Sequence, residues 1–304
     1  MKKYLIILLV LLVESSSPIQ AANVVLESKD KATVFADLAD AINTAVDGDV
    51  IYLSDNSVFS YSKGLFINKL IQIRGNGTPQ INSNITISVD GMPEMTKPIL
   101  EGVNVSDTIM VLKSITNFVI RHCSFGGIKF AAAQPNGLID RCYAKGTLYI
   151  PPISKDFHVR NSKIYLLDSS SKMYNSTIFV NCNIYQVNCT NVEGLFINTI
   201  INSAHENFNN SLSKGYYCLS KWEAIYLNGN NCMNISEDVL DASCDLIYFK
   251  NSYTGEDGTP LGIYGGETTY TLTPTVLPKI TYLNTKEDQG IVTVEVRATS
   301  LDNK

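Results

Sequence analysis

The sequence predicts an all-β protein, a single-stranded right-handed parallel β-helix with a cap helix near the N-terminus and a β-hairpin at the C-terminus. Two observations predict this fold. Runs of about four to eight residues rich in Ile, Val, Phe and Tyr alternate with Asn, Ser and Gly, which is typical of short strands. One of these runs also recurs roughly every 17 to 20 residues, as the coils of a solenoid do.

The repeat is clearest in the segment FVIRHCSF, residues 118–125. The position of Cys123, called here the reference column, aligns across the chain without gaps inside the motif. Most of the positions three before and two after it are apolar, so these columns are predicted to point into the coil. The reference column itself is small or apolar, and its members are Ile85, Val103, Cys123, Cys142, Ser162, Cys182 and Thr199.

The residue before the reference column marks a bend. Asn and Gly dominate there because they tolerate a positive φ best. A strand, a one-residue bend and a second strand make one coil, and neighbouring coils are expected to stack about 4.8 Å apart. The bend residues are Asn84, Gly102, His122, Arg141, Asn161, Asn181 and Asn198.

The N-terminal residues predict export. Residues 1–21 combine two lysines, an apolar run and Ala21, the plan of a signal peptide cleaved after Ala21. That run is too short to span a bilayer, and no later segment is long and apolar enough, so no membrane span is expected. The chain is predicted to be periplasmic, secreted or on the cell surface.

The remaining elements follow in order along the chain. Residues 22–48 are predicted to form a cap, whose amphipathic helix carries Leu38, Ala41, Ile42 and Ala45 and ends at Gly48. Residues 49–255 form the predicted β-helix. Residues 256–304 form a tail, in which KITYLN (279–284) and GIVTVEVRA (290–298) make a hairpin joined through residues 285–289.

Two segments carry a resemblance to known proteins. AINTAVDGDVIYLSDNSVFSY (41–61) and the following LIQIRGNG (70–77) resemble the start of many pectin-lyase-like β-helix proteins, with a cap helix, a GD turn and the first strands. DGTPLGIYGG (257–266) is similar to the tail of uncharacterised secreted Bacteroidetes β-helix proteins. The first resemblance covers about residues 33–250 and implies architecture only, because this superfold hosts lyases, hydrolases, adhesins and scaffolds. The second implies no activity.

Charge and cysteine content narrow the partners. The net charge is −5 and no basic run stands out, so no nucleic-acid partner is expected. Seven cysteines occur without a CxxC motif, and the histidines have no ligand spacing, so no metal site is expected. The sequence leaves undecided whether Cys123 and Cys142, on adjacent coils, form a disulfide. The repeat becomes irregular around Cys189, Cys218, Cys232 and Cys244, and a disulfide is expected among these four first. The oligomeric state is open.

An outward column two residues before the reference column alternates in charge: Glu101, Arg121, Asp140 and Arg160. The resemblance implies that lyases of this fold place calcium-binding carboxylates and a basic residue on such strands. An alternating ladder is also what stacking favours, since opposite charges on neighbouring coils attract. Two separated acids make a poor site for Ca²⁺, which takes six to eight oxygens, so no cofactor is expected except Ca²⁺ under the lyase alternative.

Outward aromatic residues form the second candidate site. Tyr143 lies one position after its reference residue, and Tyr165 and Tyr185 lie three after theirs. They could stack against sugar rings or pack against each other between coils. The sequence has no complete catalytic motif. It therefore favours a β-helix that binds glycans or serves as a surface scaffold, with a lyase acting on uronic-acid polysaccharides as the alternative.

Overall fold

The computed structural model describes residues 24–29, 31–90, 98–151, 154–169, 173–189, 192–204, 214–221, 232–235, 238–245, 254–266, 270, 279–288 and 291–299. The predicted signal peptide lies outside these ranges. Within them, no helix is long and apolar enough to cross a membrane.

Two long sheets confirm the parallel β-helix. The first runs β2 (Lys31–Phe35), β1 (Val24–Ser28), β3 (Val50–Leu53), β6 (Gln72–Arg74), β9 (Leu100–Glu101), β11 (Val119–Arg121), β13 (Leu138–Asp140), β15 (Phe157–Arg160), β17 (Met173–Val180), β19 (Val192–Ile197) and β21 (Lys214–Tyr216). Every pair from β3 onwards is parallel.

The second sheet supplies the other faces of each coil. It contains β4 (Val58–Ser60), β7 (Gln80–Asn82), β10 (Asn104–Val111), β12 (Ser124–Phe130), β14 (Tyr143–Tyr149), β16 (Lys163–Asp168), β18 (Asn183–Val187), β20 (Ile200–Ala204), β22 (Leu219–Lys221) and β23 (Met233–Ile235). β5 (Leu65–Ile67) and β8 (Ile85–Ile87) join it through the second half of β10.

The N-terminal cap contains the predicted helix, α1 (Leu38–Thr44). Asp37 caps it, since its Oδ1 accepts hydrogen bonds from the backbone N–H groups of Ala39 and Asp40 at 2.7 and 3.3 Å. The predicted apolar face is buried against the first coil, and the helix ends at Thr44, before Gly48. The antiparallel pair β1–β2, which the sequence did not predict, completes the cap.

Left-handed bends occur where the sequence predicts them. Gly102, His122, Arg141, Asn161, Asn181 and Asn198 all have φ between 46° and 64°. Tyr217, with φ of 51°, adds a further coil in which Cys218 occupies the reference column. A second bend column precedes β11, β13 and β15 at Asn117, Asn136 and Asp156.

One alignment was wrong. Ile85 was placed in the reference column after Asn84, but β8 pairs with Ile109–Val111 in the second half of β10. Asn84 does not have a positive φ. The reason is that the chain between β6 and β9 makes one coil that is longer than the later coils. The motif at Ile85 therefore does not occupy the same position in its coil as the later motifs do.

Side chains in the reference column cap the bend. Cys123 Sγ donates to the carbonyl oxygen of Arg121 at 3.1 Å, and Ser162 Oγ donates to that of Arg160 at 2.6 Å. The same hydrogen bond, from the side chain to the carbonyl oxygen two residues earlier, is made by Cys142, Cys182, Thr199 and Cys218. From Cys123 onwards the column therefore holds small side chains that carry a donor, whereas Val103, after Gly102, carries none. Burial raises the pKa of the Cys123 thiol to about 12, which makes it a poor nucleophile.

Residues 238–245 and 254–266, called the tail from here on, fold back over the second sheet and over the bend at Asn198. Asn198 Oδ1 accepts from the backbone N–H of Glu256 at 3.0 Å, and Asn202 Oδ1 accepts from those of Val239 and Leu240 at 2.7 and 3.0 Å. The predicted hairpin is confirmed as β24 (Lys279–Asp288) and β25 (Ile291–Thr299); the first strand is longer than expected, and the second has the expected length but lies one residue further along the chain. Residues 285–288 belong to β24 rather than to the connecting loop.

Candidate functional site

The alternating charges stack on successive coils, as predicted. Arg121 of β11 is paired in register with Glu101 and with Asp140, and Asp140 with Arg160. The structure adds Arg74 of β6, which is opposite Glu101. We call these five residues the charged row. The sequence missed Arg74 because the long coil separates it from the motif.

Glu101 is the best-bonded member of the charged row. Its side chain is only 5% exposed. Arg121 Nη2 lies 2.9 Å from its Oε1, and Arg74 Nε lies 3.3 Å from its Oε2. Gln72 Nε2 donates to Oε2 at 3.0 Å. The charge of this buried carboxylate is thus balanced by two guanidinium groups within ion-pair distance, at 2.9 and 3.3 Å.

Asp140 is equally buried but more loosely held. Its nearest ion-pair contacts are Arg141 Nη1 at 3.7 Å and Arg160 Nε at 3.9 Å, both beyond hydrogen-bond distance. Asp140 Oδ1 is buried without a hydrogen-bond partner, as is Arg121 Nε. The His122 ring, 3% exposed, lies with Nε2 3.2 Å from Arg141 Nη1. Since a guanidinium only donates, that nitrogen accepts.

The charged row therefore presents arginine to solvent. The side chains of Arg121 and Arg160 are 36% and 45% exposed, whereas both carboxylates lie beneath them. In the ranges that the structure describes, no three His, Cys, Asp or Glu side chains are grouped to hold a metal ion. Such a surface suits an anionic group better than a cation.

Tyr165 and Tyr185 are neighbours, as the sequence predicts. Their ring centroids are 5.2 Å apart with an angle of 9° between planes. Each ring therefore offers one face to the other, and Tyr185 also packs against the apolar cluster of Ile200, Leu219 and the tail. This stacking is the cross-coil packing considered above, and it leaves less ring face for a sugar.

Tyr143 is not part of that stack and lies close to the tail. Lys163 Nζ is 5.7 Å from the Tyr143 ring and 5.3 Å from the Tyr270 ring, and it forms an ion pair with Asp245 Oδ1 at 2.6 Å. Burial, followed by the nearby Cys244 and the acidic groups of the tail, raises the pKa of Tyr143. Tyr143 is thus joined to a cluster that holds the tail.

A second outward row, which sequence reasoning missed, crosses the other half of the second sheet. It follows the register of β5, β8, β10, β12, β14 and β16. Phe66 is 54% exposed and Met110 is 39% exposed, and Lys129 Nζ lies 4.8 Å from the Tyr149 ring. We call it the Phe66 row, and its members are Phe66, Thr86, Met110, Lys129, Tyr149 and Asp168.

The Phe66 row was hidden by the wrong alignment of Ile85. With β8 placed correctly, Thr86 lies between Phe66 and Met110 on the outer face, while Ile85 and Ile87 point into the core. The signal that could have found it is the alternation LFI, ITI and IMV at residues 65–67, 85–87 and 109–111.

Comparisons with protein-family models, with curated proteins and with solved structures gave no match for this chain. The parallel β-helix is therefore shown by the structure alone. Membership of a pectin-lyase-like family, and a Bacteroidetes-like source, stay predictions.

Proposed function

We propose that this chain is an exported β-helix protein that binds a polysaccharide along the Phe66 row. One observation carries the proposal: Phe66 and Met110 remain exposed two coils apart on one straight outer row, in which the half-buried Tyr149 also lies. Phe66, Met110 and Tyr149 offer surfaces for the C–H face of sugar rings. Large apolar side chains that stay exposed and are flanked by polar residues are typical of an interaction surface.

Polar members of the row supply the other half of sugar recognition. Thr86, Lys129 and Asp168 provide donors and acceptors for hydroxyl groups between the apolar positions. Six coils at a spacing of about 4.8 Å give the row a length of about 24 Å. A chain of several sugars running parallel to the solenoid axis matches that shape.

The test is glycan binding by the full chain and by two paired variants. A glycan array identifies a bound polysaccharide, and titration gives its affinity. Phe66→Ala with Tyr149→Ala is expected to weaken binding at least about tenfold, or about 1.4 kcal/mol. Tyr165→Ala with Tyr185→Ala, the platform predicted from the sequence, is the matched control.

Loss of binding in the control pair, with the Phe66 pair unchanged, would move the site to the tyrosine stack. Absence of binding across the array would leave a structural scaffold as the better account. Because Phe66 is largely exposed, its replacement is not expected to disturb folding.

A polysaccharide lyase is the second candidate, and one observation favours it. Arg121 Nε and Asp140 Oδ1 are both buried without hydrogen-bond partners, beside exposed guanidinium groups that suit an acidic substrate. Incubation with uronic-acid polysaccharides would then give unsaturated products that absorb in the ultraviolet. Arg121→Ala should abolish this signal, and Lys129→Ala, on another face, should not. No product across the panel rejects the lyase for those substrates.

A further inference from the structure

Two thiols meet on the last described coils of the solenoid. Leu219 of β22 is paired in register with Met233 of β23, so the residues before them, Cys218 and Cys232, are directly opposite. The backbone N–H of Met233 donates to the carbonyl oxygen of Cys218 at 2.8 Å, which fixes this register. Parallel neighbours about 4.8 Å apart lie within the Cα range of about 4.4 to 6.8 Å that permits a disulfide.

Both side chains lie on the same side of the sheet. Cys218 belongs to the buried core, and the half-buried Cys232 packs against it. A hydrogen bond between the two thiols lowers the pKa of Cys232 to about 7, while burial raises that of Cys218. Cys232 is thus a partly accessible thiol that ionises more readily than Cys218, whose sulfur lies beside it.

The pair Cys123 and Cys142 differs although it is also on adjacent coils. Cys218 also donates to a backbone carbonyl, that of Tyr216, as Cys123 does to Arg121 and Cys142 to Asp140, so the difference lies in the exposure of Cys123 and Cys142. Both are fully buried, and burial raises both pKa values. Adjacency alone therefore does not make a reactive pair in this solenoid.

We propose that Cys218 and Cys232 are joined by a disulfide that staples the last coils of the solenoid. The oxidant is a small or protein disulfide. The Cys232 thiolate attacks one of its sulfurs, forms a mixed disulfide and releases one thiolate. Cys218 then gives up its proton, attacks the Cys232 sulfur and releases the second thiolate. Two cysteine thiols are oxidised, and one disulfide is reduced to two thiols.

The test treats the reduced full chain with oxidised glutathione and blocks the remaining thiols. Cleavage after Lys221 and after Glu237 places Cys218, Cys232 and Cys244 on separate peptides. The expected result is a linked pair of peptides carrying Cys218 and Cys232, with the loss of two hydrogen atoms. Cys123 and Cys142 should be recovered as unlinked, blocked thiols.

Variants separate the two chemical steps. Cys218→Ser should stop at a stable glutathione adduct on Cys232, and Cys232→Ser should leave Cys218 unmodified. In the wild type without oxidant, alkylation of Cys232 should be fastest of the seven cysteines and should fall as pH drops below about 7. A stable glutathione adduct in the wild type, a link to Cys189 or Cys244, or unreacted Cys232 would overturn the proposal.

Discussion

Replacing Glu101 by glutamine is expected to lower the free energy of unfolding by about 2 to 4 kcal/mol. The buried carboxylate accepts from Gln72 and lies within 3.3 Å of both Arg74 and Arg121. A glutamine keeps the shape but loses the charge, and its NH₂ group then meets donors. Urea unfolding followed by circular dichroism measures the change, provided that the slope of the transition is unaltered.

Asp140→Asn is the matched control on the same row. The carboxylates of Glu101 and Asp140 are each 5% exposed, but Asp140 has no ion-pair contact shorter than 3.7 Å among the described residues, and its Oδ1 has no hydrogen-bond partner. Removing its charge forfeits little direct bonding, so a change within about 1 kcal/mol is expected. Equal losses in the two variants would contradict the distinction drawn between a bonded and a loosely held carboxylate.

Replacing Gly262 by alanine is expected to detach the tail from the solenoid, at a cost of about 2 to 5 kcal/mol. Gly262 has φ of 71°, and a methyl group there would overlap Asn183 Oδ1 and press on Ile200 Cδ1. Asn183 also accepts from the backbone N–H of Ile263 and donates to the carbonyl oxygen of Cys244. Hydrogen exchange of residues 254–266 should accelerate strongly.

Gly258→Ala provides the control for that experiment. Gly258 has a similar φ of 75°, but a methyl group there would meet nothing within 4 Å. Gly258→Ala should lower the free energy of unfolding only by the cost of a left-handed backbone at alanine, about 1 to 2 kcal/mol, and the tail should stay docked. If both variants accelerate exchange alike, the close packing of Gly262 on Asn183 does not hold the tail.

The sequence predicted most of the solenoid, because each coil contacts only its neighbours and so repeats its own pattern. The bend at Arg141 shows this well: arginine is an unusual residue for a positive φ, yet its column assigned it correctly. The charged row followed from the same register.

Long-range contacts were beyond that reasoning. The docking of Val239, Leu240 and Ile263 on Asn202 and Asn183 joins segments far apart in sequence and has no local pattern. The hydrogen bonds that the later members of the reference column make were also missed, since Cys, Ser and Thr appear merely small until their carbonyl partners are seen. The Phe66 row was missed because Ile85 was assigned to the reference column, which placed β8 in the wrong register.

The central claim is that a glycan lies along the Phe66 row, and a crystal structure of the chain with a bound oligosaccharide tests it most directly. We expect sugar rings over Phe66 or Tyr149, with hydroxyl groups within hydrogen-bond distance of Thr86, Lys129 or Asp168. Sugar bound on the Tyr165–Tyr185 stack, or along the charged row with the Phe66 row bare, would contradict it.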